Sequence, residues 1–133
     1  MIFVDTSAWF AAFVPSDPNH QEADAFLSSV APISLITTDY VLDETLTLFK
    51  ARGEARRGRE LGQRILDQEF CTLEWVEPDV VLRGWAVFDS FHDKDWSFTD
   101  CVSRAVIERL KIAEAFAFDQ HFRQFGNVIV VPQ

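Results

Sequence analysis

The sequence is poor in several residues on which whole classes of protein depend. Its 133 residues include two cysteines, five glycines and three histidines, and 12 lysines and arginines against 21 acids. Two cysteines, Cys71 and Cys101, are too few for a disulfide framework, so we expect free thiols in a core. The scattered glycines form no phosphate-binding loop. No apolar run approaches the ~20 residues that a membrane helix needs.

The N-terminus and the net charge indicate where the protein is located and which partners it can bind. No basic segment precedes the first apolar residues, and Asp5 interrupts them, so we see no signal peptide and expect a cytoplasmic protein without a membrane partner. The net charge of −9 disfavours nucleic acid as a partner at face value, because phosphate contacts need cations. That argument fails if acids converge on a metal ion while bases cluster elsewhere.

The sequence is rich in apolar residues, and segments with the pattern of buried strands alternate with segments that have helical spacing. With 48% hydrophobic residues, including 13 Phe and 4 Trp, residues 1–133 can form a single domain with a substantial core. Short apolar runs predict strands at Ile2–Val4, Ile33–Ile36, Cys71–Val76, Ala115–Phe118 and Val128–Val131. Helical spacing predicts helices at Ala8–Val14, His20–Val30, Asp39 to about Gly53, Glu54–Gln68, Pro78–Phe91 and Ser97 or Thr99 to Leu110, with a short turn or helix at Gln120–Gln124. The alternation indicates an α/β fold with a mostly parallel sheet of about five strands.

The fifth of these helices has an apolar stripe. Large side chains recur at helical spacing after Pro78, which suits a first turn. We expect the following to face the core: Val81, Leu82, Trp85, Phe88 and Phe91.

Acids follow two of the predicted strands directly. Asp5 ends Ile2-Phe3-Val4 and Asp119 ends the fourth strand, and the carboxyl ends of parallel strands share one edge of a sheet. Glu44 lies within an apolar helix stripe, and Asp100 opens the helix that leads to the fourth strand. Each acid also has a local interpretation: Asp5 as a helix cap, Asp119 as a turn former, Glu44 as a solvated residue and Asp100 as a favourable helix start.

Convergence of these four acids predicts a site for a hard divalent cation. Carboxylates packed together repel one another unless a cation joins them, and oxygen ligands suit Mg²⁺ or Mn²⁺. Such an ion can activate water and stabilise charged phosphate oxygens, so the pattern suits phosphodiester hydrolysis with one or two metals. Ser7 and Thr99 could support the ligands or simply cap helices, and Asp95 could reach the site from a loop. The three histidines show no metal-ligand spacing with the cysteines.

The basic residues are concentrated in one segment. Half of them lie within 15 positions: Lys50, Arg52, Arg56, Arg57, Arg59 and Arg64. If the helices are continuous across Gly53, Arg52, Arg56 and Arg59 share one side, which predicts a phosphate-backbone surface. Alternatively, these arginines form a solvated helix face and pair with neighbouring acids, without binding a phosphate backbone.

Four segments together resemble the PIN-domain ribonucleases, and the short length resembles the VapC toxins among them. The segments are Ile2-Phe-Val-Asp-Thr-Ser, Thr38-Asp-Tyr-Val-Leu-Asp-Glu-Thr, Trp96-Ser-Phe-Thr-Asp-Cys and Ala117-Phe-Asp-Gln-His-Phe. The resemblance covers nearly the whole chain. It implies a PIN-like three-layer sandwich and a Mg²⁺- or Mn²⁺-dependent endoribonuclease, forming the toxin of a toxin–antitoxin pair.

The resemblance also assigns roles. It implies Asp5, Glu44, Asp100 and Asp119 as the catalytic acids, the three aspartates as metal ligands, and Ser7, Thr99 and Asp95 as supporting residues. It further implies a homodimer, a VapB-type antitoxin partner, and an RNA substrate such as tRNA or rRNA.

Two other functions compete with this interpretation. A receiver-type phosphoacceptor domain also ends an early strand in Asp, but it needs an acceptor Asp after a central strand and a late Lys. Here Glu77-Pro78 follows the third strand, and no Lys follows Phe118. A non-catalytic PIN-like interaction module would keep the fold and use exposed aromatic residues for a partner.

Overall fold

The strands form one fully parallel sheet with β1 at its centre. The computed structural model describes residues 1–133. The strands are β1 (Ile2–Val4), β2 (Leu35–Thr38), β3 (Thr72–Glu74), β4 (Glu114–Phe116) and β5 (Ile129–Val131). Their order is β3-β2-β1-β4-β5, and every neighbouring pair is parallel. The α/β class and the five-stranded sheet predicted from the sequence are therefore confirmed.

Seven α-helices flank the sheet. They are α1 (Thr6–Phe13), α2 (His20–Ser29), α3 (Asp39–Ala51), α4 (Ala55–Leu66), α5 (Pro78–Ser90), α6 (Phe98–Leu110) and α7 (His121–Gln124). A 3₁₀ turn at Pro32–Ser34 precedes β2, so the second strand begins two residues later than its apolar run predicts. No helix is both long and apolar enough to cross a membrane.

The strand order creates a crevice beside β1. The chain steps from β1 to β2 in one direction across the sheet and from β4 to β5 in the other. Right-handed crossovers then carry the helices to opposite faces, and a crevice opens at the carboxyl ends where the direction reverses. That point lies between β1 and β4, the strands that precede Asp5 and Asp119.

The core is one continuous cluster of buried apolar side chains around β1. Phe3, Val4, Trp9 and Phe116 are completely or almost completely buried within it. Parallel strands covered on both faces need such unbroken apolar runs. Cys71 and Cys101 are both buried and free, as their small number predicts.

The inward face of α5 is not the one that its large side chains predict. Val80 and Gly84 are buried, whereas Leu82 is 68% and Trp85 54% exposed. A β-carbon on Gly84 would lie 2.7 Å from Val102 Cγ2 in α6. The two helices approach closely at a residue without a side chain, so the aromatic residues lie on the outer side. The prediction that Leu82, Trp85, Phe88 and Phe91 face the core is wrong.

Candidate active site

Asp5 ends the central strand and begins α1. Its backbone N–H donates to Phe116 O (3.1 Å), which keeps it in register with β4. Its Oδ2 accepts hydrogen bonds from the Ser7 N–H (3.2 Å) and the Ser7 hydroxyl (2.8 Å). Asp5 is therefore the N-cap, and Thr6 is already the first helical residue. Capping and a place at the sheet edge are compatible roles for this side chain.

Ser7 connects the ends of the two central strands. Its hydroxyl accepts from the backbone N–H groups of Phe118 (3.0 Å) and Asp119 (3.3 Å) while donating to Asp5. Because the Phe118 N–H bonds a side chain, β4 ends at Phe116 rather than at Phe118. This small hydroxyl thus fixes the segment that carries Asp119 against Asp5.

Glu44 in α3 and Asp100 in α6 lie on two helices that flank the carboxyl edge of the sheet. Asp100 and Ser97 form a capping box at the start of α6: the Asp100 N–H donates to Ser97 Oγ (3.0 Å), and the Ser97 N–H donates to Asp100 Oδ2 (3.1 Å). The Ser97 hydroxyl also lies 3.5 Å from Glu44 Oε2 in α3. Ser97, not Thr99, therefore makes these contacts.

The four acids named from the sequence line one pocket of about 310 Å³. The lining residues are Asp5, Thr6, Ser7, Glu44, Leu48, Ser97, Asp100, Asp119 and His121. None of them is a lysine or an arginine. The structure thus brings together carboxylates from four separate segments without a permanent positive charge among them.

Burial and mutual repulsion disfavour the charged forms of these acids. Burial, and next the charge of Asp100, raises the pKa of Asp5 to about 7. Burial followed by the nearby Asp119 charge raises the pKa of Asp100, despite a hydrogen bond from Ser97. Burial also raises the pKa of Glu44. A cation in the pocket would remove this penalty.

The residues present fit a hard metal ion. Carboxylate oxygens of Asp5, Glu44 and Asp100 lie within 4.8 Å of one another, and so do ligand atoms of Asp100, Asp119 and His121. Asp5 is only 2% exposed, and its Oδ1 has no hydrogen-bond partner. A buried carboxylate oxygen without a partner is costly unless a ligand completes its shell. The pocket could therefore hold a metal ion.

Two of the predicted supporting residues lie outside this pocket. Asp95 is exposed and lines a neighbouring cavity with Phe91 and Lys94. Thr99 precedes Asp100 by one position, so its side chain leaves the helix about 100° away. Neither lines the acidic pocket, whereas Ser7 does.

The arginines do not form the continuous stripe expected from their spacing. Gly53 adopts a left-handed φ of +74° between α3 and α4, so Arg52 lies outside the helix that carries Arg56 and Arg59. All three are exposed. Arg56 pairs with Glu60 at 3.4 Å, while Arg52 lies over the Phe10 ring.

His121 is the pocket residue that the sequence reasoning missed. Its Nδ1 lies 2.8 Å from Asp100 Oδ2 and 3.2 Å from Asp119 Oδ1. In the sequence the histidines show no metal-ligand spacing with Cys71 and Cys101, and neither cysteine lines this pocket. The available signal was its position two residues after Asp119, on a turn that starts at the same sheet edge.

The fold and the acidic pocket define an α/β protein with a carboxylate site beside its central strand. Similarity to known proteins shows the family to which the chain belongs. The PIN domain family model matches residues 2–128. The 23S rRNA-specific endonuclease VapC20 of Mycobacterium tuberculosis is 33% identical over the whole of both chains. A VapC ribonuclease of Archaeoglobus fulgidus is 24% identical over 90% of this chain and 77% of the relative.

A solved structure agrees with the sequence relatives. The crystal structure of M. tuberculosis VapC20, described as a sarcin–ricin loop cleaving toxin, has a TM-score of 0.90 and 32% identity, covering 99% of this chain and all of that one. The chain belongs to the PIN-domain family, as one of its VapC-type members. The resemblance seen in the four short segments is confirmed.

Proposed function

We propose that the protein is a divalent-metal-dependent endoribonuclease and the toxin of a VapB–VapC pair. The observation that carries the proposal is the convergence of Asp5, Glu44, Asp100 and Asp119 on one pocket without a fixed positive charge. Similarity to VapC20 over the full chain supports RNA cleavage as the reaction. We further propose that residues 1–133 act as a single PIN-like domain, which the continuous core supports.

Mg²⁺ or Mn²⁺ is the cofactor that the donor set favours. The ligand atoms that Asp5, Glu44 and Asp100 offer are all carboxylate oxygens, and these hard ions prefer oxygen ligands. When bound, such an ion supplies positive charge to the scissile phosphate and promotes attack by water. The chain's own part is to hold the ligands: Ser7 orients Asp5 and the Asp119 backbone, while Ser97 orients Asp100 and approaches Glu44.

The proposed substrate is ribosomal RNA. VapC20 is specific for 23S rRNA, and its structure is described as that of a sarcin–ricin loop cleaving toxin. Arg52, Arg56 and Arg59 are exposed cations that would contact the RNA backbone. Arg52 lies four residues beyond Leu48, which lines the pocket. Because ribosomes are cytoplasmic, we place the activity in the cytoplasm.

The proposed protein partners are an antitoxin and a second copy of the chain. A VapB-type antitoxin with basic segments would complement the net charge of −9. For the homodimer, the support is the outer face of α5. The exposed Trp85 and Phe88 rings stack there with centroids 5.9 Å apart, and adjoining exposed apolar side chains mark interaction surfaces.

RNA cleavage by the purified protein tests this function. An oligonucleotide carrying the sarcin–ricin loop sequence is incubated with Mg²⁺ or Mn²⁺, with and without a chelator. We expect metal-dependent cleavage, and we expect Asp5→Asn and Asp100→Asn each to reduce the rate by at least ~100-fold, since even outer-shell changes at metal sites cost roughly 10- to 100-fold.

Asp43→Asn is the matched control for these variants. Asp43 is exposed and precedes Glu44 by one position, outside the pocket, so its replacement should leave cleavage unchanged. Full activity in Asp5→Asn and Asp100→Asn would contradict the proposed site. Folded protein that cleaves no RNA with either metal would favour the non-catalytic interaction module instead.

A further inference from the structure

His121 makes the two acidic halves of the pocket chemically different. The residue begins α7, and its side chain is mostly buried against Asp100 and Asp119. Its backbone N–H donates to Asp119 Oδ1 (2.8 Å), so the same carboxylate contacts both ends of the residue. The imidazole therefore has little freedom to leave the pocket.

The ligand atoms fall into two overlapping groups. Asp5, Glu44 and Asp100 offer oxygen alone, whereas Asp100, Asp119 and His121 offer two oxygens and one nitrogen. Asp100 belongs to both. Adjacent ligands of an octahedral ion with bonds of about 2.1 Å are roughly 3 Å apart. The His121 Nδ1 distances of 2.8 Å and 3.2 Å to the two aspartates match that spacing.

We propose that His121 supplies a nitrogen ligand to a cation held in the second of these groups, together with Asp100 and Asp119. This inference rests on the proposed function, in which the pocket binds a divalent ion. An imidazole nitrogen favours first-row transition ions, while oxygen-only sites suit Mg²⁺. This second position therefore favours a transition ion such as Mn²⁺ over Mg²⁺, and His121 is the residue that determines this preference.

The competing role for His121 is positioning alone. The Nδ1–H could simply donate to Asp100 and orient that carboxylate, as outer-shell partners do at many metal sites. A positioning residue would support both ions equally and would never contact the metal. The two roles therefore differ in the nuclei that surround the bound ion.

Pulsed electron paramagnetic resonance of the Mn²⁺-loaded protein separates the two roles. We expect the spectrum to show coupling of Mn²⁺ to a ¹⁴N nucleus, and we expect ¹⁵N-histidine labelling to convert that coupling to the ¹⁵N pattern. The labelled protein is needed because it tests the nitrogen ligand in the unmutated chain. Of the three histidines, only His121 lines the pocket.

Calorimetric titration with each metal completes the test. His121→Gln should lower Mn²⁺ affinity by about 10-fold or more, change Mg²⁺ affinity by less than about twofold, and abolish the nitrogen coupling. His92→Gln is the control, because His92 is exposed and bonds only the Asp89 carbonyl. That variant should match the unmutated protein in both measurements.

Three outcomes would overturn the inference. They are absence of histidine nitrogen coupling in the unmutated protein, persistence of that coupling in His121→Gln, and an equal loss of Mn²⁺ and Mg²⁺ affinity in that variant. Each of them can occur in a protein that still cleaves RNA with Mg²⁺, which would leave the proposed function standing. A protein that binds neither metal would contradict the proposed function as well.

Discussion

Asp5 carries two roles that have opposite effects on stability. As the N-cap of α1 it accepts hydrogen bonds from Ser7, which stabilises the helix start. Burial, and next the charge of Asp100, raises the pKa of this carboxyl group to about 7. The charged form that a metal needs is therefore the form that the folded chain alone disfavours. Stability and metal binding are in conflict at this residue.

This conflict predicts a pH dependence of stability. Between about pH 4 and pH 7 the folded protein keeps a proton on Asp5 that the unfolded chain has lost, because the pKa rises from 3.8 to about 7 on folding. The free energy of unfolding should therefore fall as the pH rises through this range, by at most about 1.4 kcal/mol per pH unit from Asp5. Above pH 7 the loss is complete. Raised pKa values at Glu44 and Asp100 act in the same direction.

Asp5→Asn should flatten this profile. The amide oxygen can still accept from Ser7, so the cap is kept while the buried charge is removed. We expect the variant to be more stable than the unmutated protein at pH 8 by about 2–4 kcal/mol. Urea unfolding from pH 5 to pH 8 in the presence of a chelator measures the difference, with Asp43→Asn as the control. Identical slopes in the two variants would show that Asp5 is not the titrating group.

At the scale of elements, the packing of α5 on α6 depends on an absent side chain. The Cβ of an alanine at position 84 would lie 2.7 Å from Val102 Cγ2 and 3.0 Å from Val102 Cα. Because one of these atoms belongs to the α6 backbone, rotation of a side chain cannot relieve the contact. The helices would have to separate.

Gly84→Ala should therefore destabilise the protein by about 1–3 kcal/mol, the usual cost of overpacking. Gly62→Ala is the matched control in α4, since its Cβ would meet Leu46 Cδ2, the end of a partly exposed side chain. That change should be neutral or stabilising by up to about 1 kcal/mol, because alanine is the better helix former. Denaturant unfolding of both variants gives the comparison, and equal effects would contradict the close approach of α5 and α6.

The exposed arginines of α4 lead to a prediction about RNA binding. Arg56→Glu combined with Arg59→Glu should weaken RNA affinity and reduce the slope of log affinity against log salt, because phosphate contacts release counterions. A charge-matched control is Arg109→Glu with Lys111→Glu, at the end of α6 that leads into the opposite edge of the sheet. Filter binding between 50 and 200 mM salt, conditions in which such contacts are visible, measures both. If the two double variants behave alike, α4 is only a solvated face.

At the scale of the whole molecule, the outer face of α5 predicts self-association. Leu82 and Trp85 are one helical turn apart and more exposed than most large apolar residues of the chain. Leu82→Glu with Trp85→Glu should convert a homodimer to a monomer, as measured by light scattering after size-exclusion chromatography. Ile33→Glu is the control, because Ile33 is also exposed but lies on the turn before β2. A monomeric unmutated protein, or a double variant that stays dimeric, would contradict this interface; loss of antitoxin binding alone would assign the face to that partner.

The sequence by itself determined the chain's alternation of strands and helices and the placement of its acids. Apolar runs that end in Asp5 and Asp119 are local signals, and parallel strands necessarily bring their carboxyl ends to one edge. Glu44 was found from its position in an apolar helix stripe, and Asp100 from its position at the start of the helix that leads to the fourth strand. These features can be predicted from the sequence because each depends on a few neighbouring residues and on one rule of sheet geometry.

Only the tertiary structure decided which faces and atoms meet. The period of α5 identifies its sides but not which of them packs on α6, and the close approach at Gly84 reversed the expected choice. The left-handed turn at Gly53 separated Arg52 from α4. His121 contacts Asp119 only two positions earlier in the chain, but its contact with Asp100 in α6 is created by packing, and spacing along the chain does not encode it. Asp5 could therefore be found from its strand, whereas the contact of the His121 imidazole with Asp100 required the folded molecule.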